Sequence, residues 1–291
     1  MEGGGGRRRR SAKPANAGAN PPNGVVINYW LKDANDSSKV AISIYDKNNA
    51  LIKTFTKVAK EEGNKLEYAA GMNQFVWDMM YPPAEKIDGL ILWNGNVEGP
   101  KVAPGKYTAK IKFDKDSVNF SFVIKGDPNY KMTEKDYDDQ VGMLLKIRDK
   151  FSDVQKAIKQ IRAIRTQIND FTSRVNLKNN KEVKQAADTI NKQITTIEEA
   201  LYQTKSKSGQ DVLNFPIRLN DKIAGLYDVA ASGYNPPSKQ VIETYADLSA
   251  QADAQIAKLK KILSDDLVAF NKLIHEKQLP IIGLANEKAD Q

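Results

Sequence analysis

Cysteine is absent from this 291-residue chain, and histidine occurs once, as His275. The first absence excludes disulfides, thiolate metal sites and a cysteine nucleophile, while leaving the compartment open. The second removes the common routes to a zinc centre or an imidazole acid–base pair. His275 precedes Glu276, but an HExxH pattern needs a second histidine at position 279, which is Leu279. A lone histidine in the last turn of a helix has a simpler task, facing the helix dipole. No run of ~18 apolar residues encodes a transmembrane helix. The basic N-terminus has no apolar stretch behind it, so it does not read as a signal peptide; as a complete product the chain reads as cytoplasmic. The GxSxG, Walker A, GxGxxG and EF-hand patterns are all missing.

What is present is ordinary globular material, 41% apolar and 27% charged, with length for two domains at ~150 residues each. Four of the eight net positive charges come from Arg7, Arg8, Arg9 and Arg10. Elsewhere Lys and Arg interleave with acids, as in Lys146, Arg148, Asp149, Lys150, Asp153 and Lys156, which is the pattern of a solvated helix surface. Residues 1–24 combine a glycine run, the arginines and Pro14, Pro21 and Pro22, with no apolar period, and read as a disordered linker. The arginine run attracts anions, so nucleic-acid binding is a lesser alternative; no aromatics interleave with it to stack bases.

Residues 25–126 have period-two, β-rich patterning. Strands are expected at 25–31, 40–45, 51–55, 73–79, 90–93, 107–113 and 118–124, with a turn cluster at Asp46, Lys47, Asn48 and Asn49. About seven short strands in roughly a hundred residues is the pattern of an immunoglobulin-like β-sandwich. Trp30, Trp77 and Trp93 all fall here. They serve either as packing or as a glycan-stacking platform, which needs several aromatics exposed on one face.

Residues 133–279 switch to helical period. Leu144, Ile147, Phe151, Val154, Ile158, Ile161, Ile164, Ile168 and Phe171 keep one stripe along a helix that Thr133 is placed to cap. Val183, Ala187, Ile190, Ile194, Ile197 and Leu201 define a second helix, over 181–204. Leu219, Ile223, Leu226 and Ala230 define a third, over 216–231. Ser238 caps a fourth whose stripe runs from Tyr245 to Ile274. Short links between them predict an antiparallel bundle, with helices two and three end to end beside the long pair. Stripes this long also suit self-association or a protein partner. Residues 280–291 form a charged tail.

No catalytic set emerges. Asp136, Asp138 and Asp139 sit where a helix start attracts acids. Asp265 and Asp266 read as solvated, and Asp78 has no partner carboxylate that the sequence places across a cleft, as a glycosidase requires. The chain reads as non-catalytic, with no cofactor and no metal.

Three stretches carry a resemblance. They are Asn20-Pro21-Pro22-Asn23-Gly24-Val25-Val26-Ile27-Asn28-Tyr29-Trp30-Leu31-Lys32, then Gly71-Met72-Asn73-Gln74-Phe75-Val76-Trp77-Asp78-Met79-Met80-Tyr81-Pro82, then Ala103-Pro104-Gly105-Lys106-Tyr107. With Asp127-Pro128 and residues 140–165, the chain resembles the C-terminal region of bacterial sortilin-like, BNR-repeat proteins often labelled glycosyl hydrolases. Met79-Met80 departs from the Leu-Arg usual there. The resemblance implies an immunoglobulin-like domain similar to the flagellar hook-capping protein, then a helical region, and export to the periplasm or cell surface. The family's β-propeller and its Asp-box repeats are not in this sequence, so a hydrolase label would belong to a longer parent. The expected function is an accessory module for assembly or partner binding; the alternative is a carbohydrate-binding module beside a propeller glycosidase.

Overall fold

The computed structural model describes residues 18, 20–34, 39–175, 177–178 and 180–280. Arg7, Arg8, Arg9 and Arg10, most of the 1–24 linker and nearly all of the 280–291 tail lie outside the described residues.

Six strands are described: β1 (Val25–Leu31), β2 (Val40–Tyr45), β3 (Leu51–Thr56), β4 (Gly71–Trp77), β5 (Gly105–Phe113) and β6 (Asp116–Ile124). They make two antiparallel sheets, one of β1 and β4, the other in the order β3-β2-β5-β6. Alternation of side chains produces the faces: Val40, Ile42 and Ile44 of β2 are buried, while Ala41, Ser43 and Tyr45 between them are less covered. The β2–β3 turn is closed by the Asp46 carboxylate, which accepts the N–H groups of Asn48 and Ala50 at 2.9 and 2.8 Å. Asn49 supplies the left-handed backbone, φ 60°, that asparagine tolerates. Both sheets feed one core. Trp77 of β4, fully buried, meets Tyr107 of β5 and Phe122 of β6 edge-on at 5.8 and 6.2 Å.

Five α-helices follow: α1 (Glu134–Arg174), α2 (Lys181–Leu201), α3 (Leu219–Ala231), α4 (Lys239–Lys261) and α5 (Leu267–Glu276). Thr133 and Asp136 form a reciprocal capping box at the start of α1, and the 41-residue helix extends about 60 Å. Of its predicted stripe only Ile164 is not fully buried. Pair contacts fix the directions. Arg162 with Glu198 and Asn169 with Asn191 set α2 antiparallel to α1. The end of α3 meets the start of α1, where Gln140 donates to the Ala230 and Gly233 carbonyls at 3.2 and 3.1 Å. Tyr245 with Lys146, Asp253 with Lys150 and Phe270 with Phe171 rise together, so α1 and the α4–α5 rod run parallel. α2 and α3 therefore lie in line between them, running the other way.

The fourth helix predicted from sequence is not uniform. A single π-turn, Ile262–Asp266, separates α4 from α5. The stripe passes through this wider turn, and Leu259 before it and Phe270 after it are both buried.

Residues 90–93, expected as a strand, belong to none. Residues 78–104 instead form an arm between β4 and β5. Its two limbs exchange widely spaced backbone bonds, Val102 N–H to Met79 O, Tyr81 N–H to Pro100 O and Ala84 N–H to Val97 O, at 2.8–2.9 Å. Its tip leaves the sheets. Ala84 and Ile87 are buried in the helical core, and Leu90, Leu92 and Val97 pack against it. The spacing of those residues is neither two nor 3.6, because they reach into gaps between helices and line no regular face.

Candidate functional site

The arm tip is seated by polar groups that the helices supply at fixed points. Ser152 of α1 accepts the Glu85 N–H at 3.1 Å. The Tyr202 hydroxyl, just past α2, accepts the Ile91 N–H at 3.3 Å. Asp221, in the first turn of α3, accepts the Trp93 N–H at 2.8 Å and the Asn94 N–H at 3.4 Å. Arg148 donates to the Pro82 carbonyl at 3.1 Å, and Lys159 pairs with Glu85 at 2.8 Å. Burial pushes the Asp221 carboxyl above its usual range, and the two N–H donors pull the other way. Burial likewise pushes the Tyr227 hydroxyl up to about 12. Gly95 lies on the α3 backbone with φ 106°; a Cβ there would fall 2.4 Å from the Ala224 carbonyl carbon. The contact requires glycine.

The three tryptophans have three fates. Trp77 is the fully buried centre of the sheet core and offers no surface to a glycan. Trp30 stands on the outer face of the β1–β4 sheet, 63% exposed. Opposite it in register is Met72, 75% exposed. Val26 and Val76 form the next outward apolar pair. Between the two pairs Gln74 donates to the Asn28 carboxamide at 3.2 Å. Trp93 is 50% exposed at the arm tip, over a cup of about 390 Å³ lined by Asn94, Asn96 and Asp228 among others. Trp30 and Trp93 enter no ring pair among the described residues. The single-platform arrangement is therefore replaced by two separate surfaces. The outward triplet Val26, Asn28, Trp30 was readable as the alternate face to Ile27 and Leu31. Asn94, Asn96 and Asp228 were not, because Asp228 comes from α3 and reaches the cup only through the arm.

Most of the acids singled out in the sequence hold local structure, Asp266 being the one with no side-chain partner shown among the described residues. Asp136 caps α1, and hydrogen bonds from the Thr133 side chain and backbone hold its carboxyl below the usual range. Asp138 pairs with Lys47 of the β2–β3 turn, and Asp139 with Lys135. Asp78 accepts the Met80 N–H at 3.0 Å, and Asp265 accepts from Ser264 at 2.6 Å. His275 is exposed in the last turn of α5. The buried acids among the described residues are two others, Asp221 of α3 and Glu198 of α2, and Glu198 receives Arg162 at 2.8 Å and Arg165 at 2.6 Å. Among the described residues no group of three or more His, Asp or Glu is placed to hold a metal ion, and no helix is long and apolar enough to cross a membrane. Comparison of the chain with protein-family models, curated proteins and solved structures gives no match.

Proposed function

We propose that the chain is a non-catalytic interaction module, an immunoglobulin-like sandwich clasped by its arm to an antiparallel bundle, of the kind found in exported sortilin-like, BNR-repeat proteins. One observation carries the reading: the outer face of the β1–β4 sheet presents Trp30, Met72, Val26 and Val76 to solvent around a paired amide rung. The long helices bury most of their stripes against one another, and Ile242 and Val268, which they expose, have no paired outward partner of the Trp30–Met72 kind. An apolar sheet face beside two open strand edges suits a protein partner, which covers it by packing or by adding a strand. Asp136, Asp138 and Asp139 are engaged in a cap and ion pairs, which also favours a structural role.

The test places a photo-crosslinking side chain at position 72 in cells that make the protein, with position 115, on the exposed β5–β6 turn, as the control. The expected result is one discrete adduct from position 72 and none from position 115. Equal labelling at both positions overturns the contact surface, and turnover of glycosides by the purified chain overturns the non-catalytic reading. The carbohydrate-binding reading is favoured by a separate observation, the half-exposed Trp93 above its cup. Nucleic-acid binding rests on the arginine run alone.

A further inference from the structure

The arm tip exposes an indole where the core has no use for it. Trp93 is half exposed, yet its backbone is anchored to α3. Its N–H is bound to Asp221, the next residue but one is pressed on the α3 backbone, and Asn96 caps the following turn by accepting the Glu98 N–H at 2.8 Å. A large apolar ring on a fixed loop beside an open cup is a preformed platform. A ligand stacking on it would not have to pay for ordering the loop.

The groups around the ring define the ligand chemistry. Asn94 is exposed, and only its backbone N–H is engaged among the described residues, so its carboxamide keeps a donor and an acceptor. Asn96 has its oxygen engaged with Glu98 and keeps its N–H2 as donor. Asp228 contributes an exposed carboxylate from α3. Hydroxyl groups both donate and accept, so they match this mixture of amide and carboxylate. A cation would use the indole, Asp228 and the free Asn94 oxygen but leave both amide N–H2 donors idle, and an anion would meet Asp228 unfavourably.

We infer that the cup under Trp93 is a binding site for a neutral saccharide. One sugar ring lays its C–H face on the indole while its hydroxyls bond Asn94, Asn96 and Asp228. This deepens the carbohydrate reading above, at a surface distinct from the sheet face proposed for the protein partner.

The test is affinity electrophoresis of the full chain in gels cast with xylan, mixed-linkage β-glucan, mannan or starch. Calorimetry with the matching oligosaccharide follows. The expected result is retardation by at least one neutral polysaccharide. Trp93→Ala should weaken binding about tenfold or more, and Asp228→Asn a few-fold. Trp30→Ala should bind like the parent. Asn94→Ala, which alters only an exposed side chain, covers the case in which Trp93→Ala disturbs the arm; circular dichroism reports that. The site is overturned if none of the polysaccharides retards the parent. It is also overturned if Trp93→Ala and Asn94→Ala bind as the parent does, or if Trp30→Ala removes the binding. None of these results bears on crosslinking from position 72, so the two surfaces stand or fall separately.

Discussion

The helical and sheet regions solve the same burial problem with different completeness. Around α1, neighbours arrive from α2, α3, α4 and the arm, so residues such as Val154, Ile158 and Ile161 are fully enclosed. The sheet core is closed on one side by four strands and on the other by only two. Those two strands cover Ile27, Leu31 and Trp77 with their inner face, and leave Trp30 and Met72 on the outer one. A strand has two faces and a helix stripe only one, so a sheet needs a further layer where a helix does not. The difference places candidate contact surfaces on the sheets and on the arm, and leaves the helices as the brace.

The comparison breaks most sharply at Trp77. Its substitution by Ala removes a fully buried ring that joins the two sheets and should cost about 3–5 kcal/mol in urea denaturation. A cost near that of a surface substitution would mean that the sheets are held by the arm and not by their own core. The clasp itself is tested by Gly95→Ala, which forces a Cβ into the Ala224 backbone at a left-handed position and should cost about 3 kcal/mol. In the Trp30→Phe, Trp93→Phe background, whose one tryptophan is Trp77, unfolding followed by far-UV circular dichroism, which reports mainly the helices, should coincide with that followed by tryptophan fluorescence. With Gly95→Ala in that background the two transitions should separate. Glu198→Gln weakens the buried acceptor for Arg162 and Arg165 and should cost about 2 kcal/mol, with the loss confined to the helical transition.

Much of the strand and helix layout was legible because period and turn chemistry agree locally. The β2–β3 turn, the Thr133 cap and the α1 stripe all depend on residues within a few positions of one another. The arm was not legible for the same reason. Residues 90–93 look like a short strand when only neighbours are read, and the partners of Ile91 and Trp93, Tyr202 and Asp221, are more than a hundred residues away. The π-turn was hidden because the α4–α5 stripe continues through it. Trp30 was read as a candidate without its setting, since the exposed pair it forms with Met72 depends on β1–β4 register across forty intervening residues. Trp77 shows the limit from the other side: its alternation places it on one face of β4 but does not say that the face is fully covered.

Asp221 allows a finer test of the seam. Its folded carboxyl is raised by burial, so the native state holds a proton that the unfolded chain releases at lower pH. Its contribution is therefore fully present below the ordinary carboxylate range and is lost as pH rises through the raised value. Asp221→Asn removes that titration. Parent stability relative to this variant should decline in urea titrations as pH rises from the ordinary carboxylate range through the raised value. A constant difference would show that the two backbone donors offset the burial.

The smallest expected effect bears most directly on the contrast between the regions. Trp30→Thr puts a β-branched, strand-compatible residue on β1 in place of a side chain that is already 63% exposed. If the outer face has no covering layer within the chain, stability should shift by less than about 0.5 kcal/mol, as for other surface positions. A loss of about 2 kcal/mol or more would mean that another part of the same chain packs on Trp30, and that the sheets, like the helices, are closed internally. The face would then cease to be a contact surface for a partner, and position 72 should lose its crosslink. A small change together with a crosslink that Trp30→Thr weakens would place the apolar surface where the unequal sheets leave it, outside the core and available to another protein.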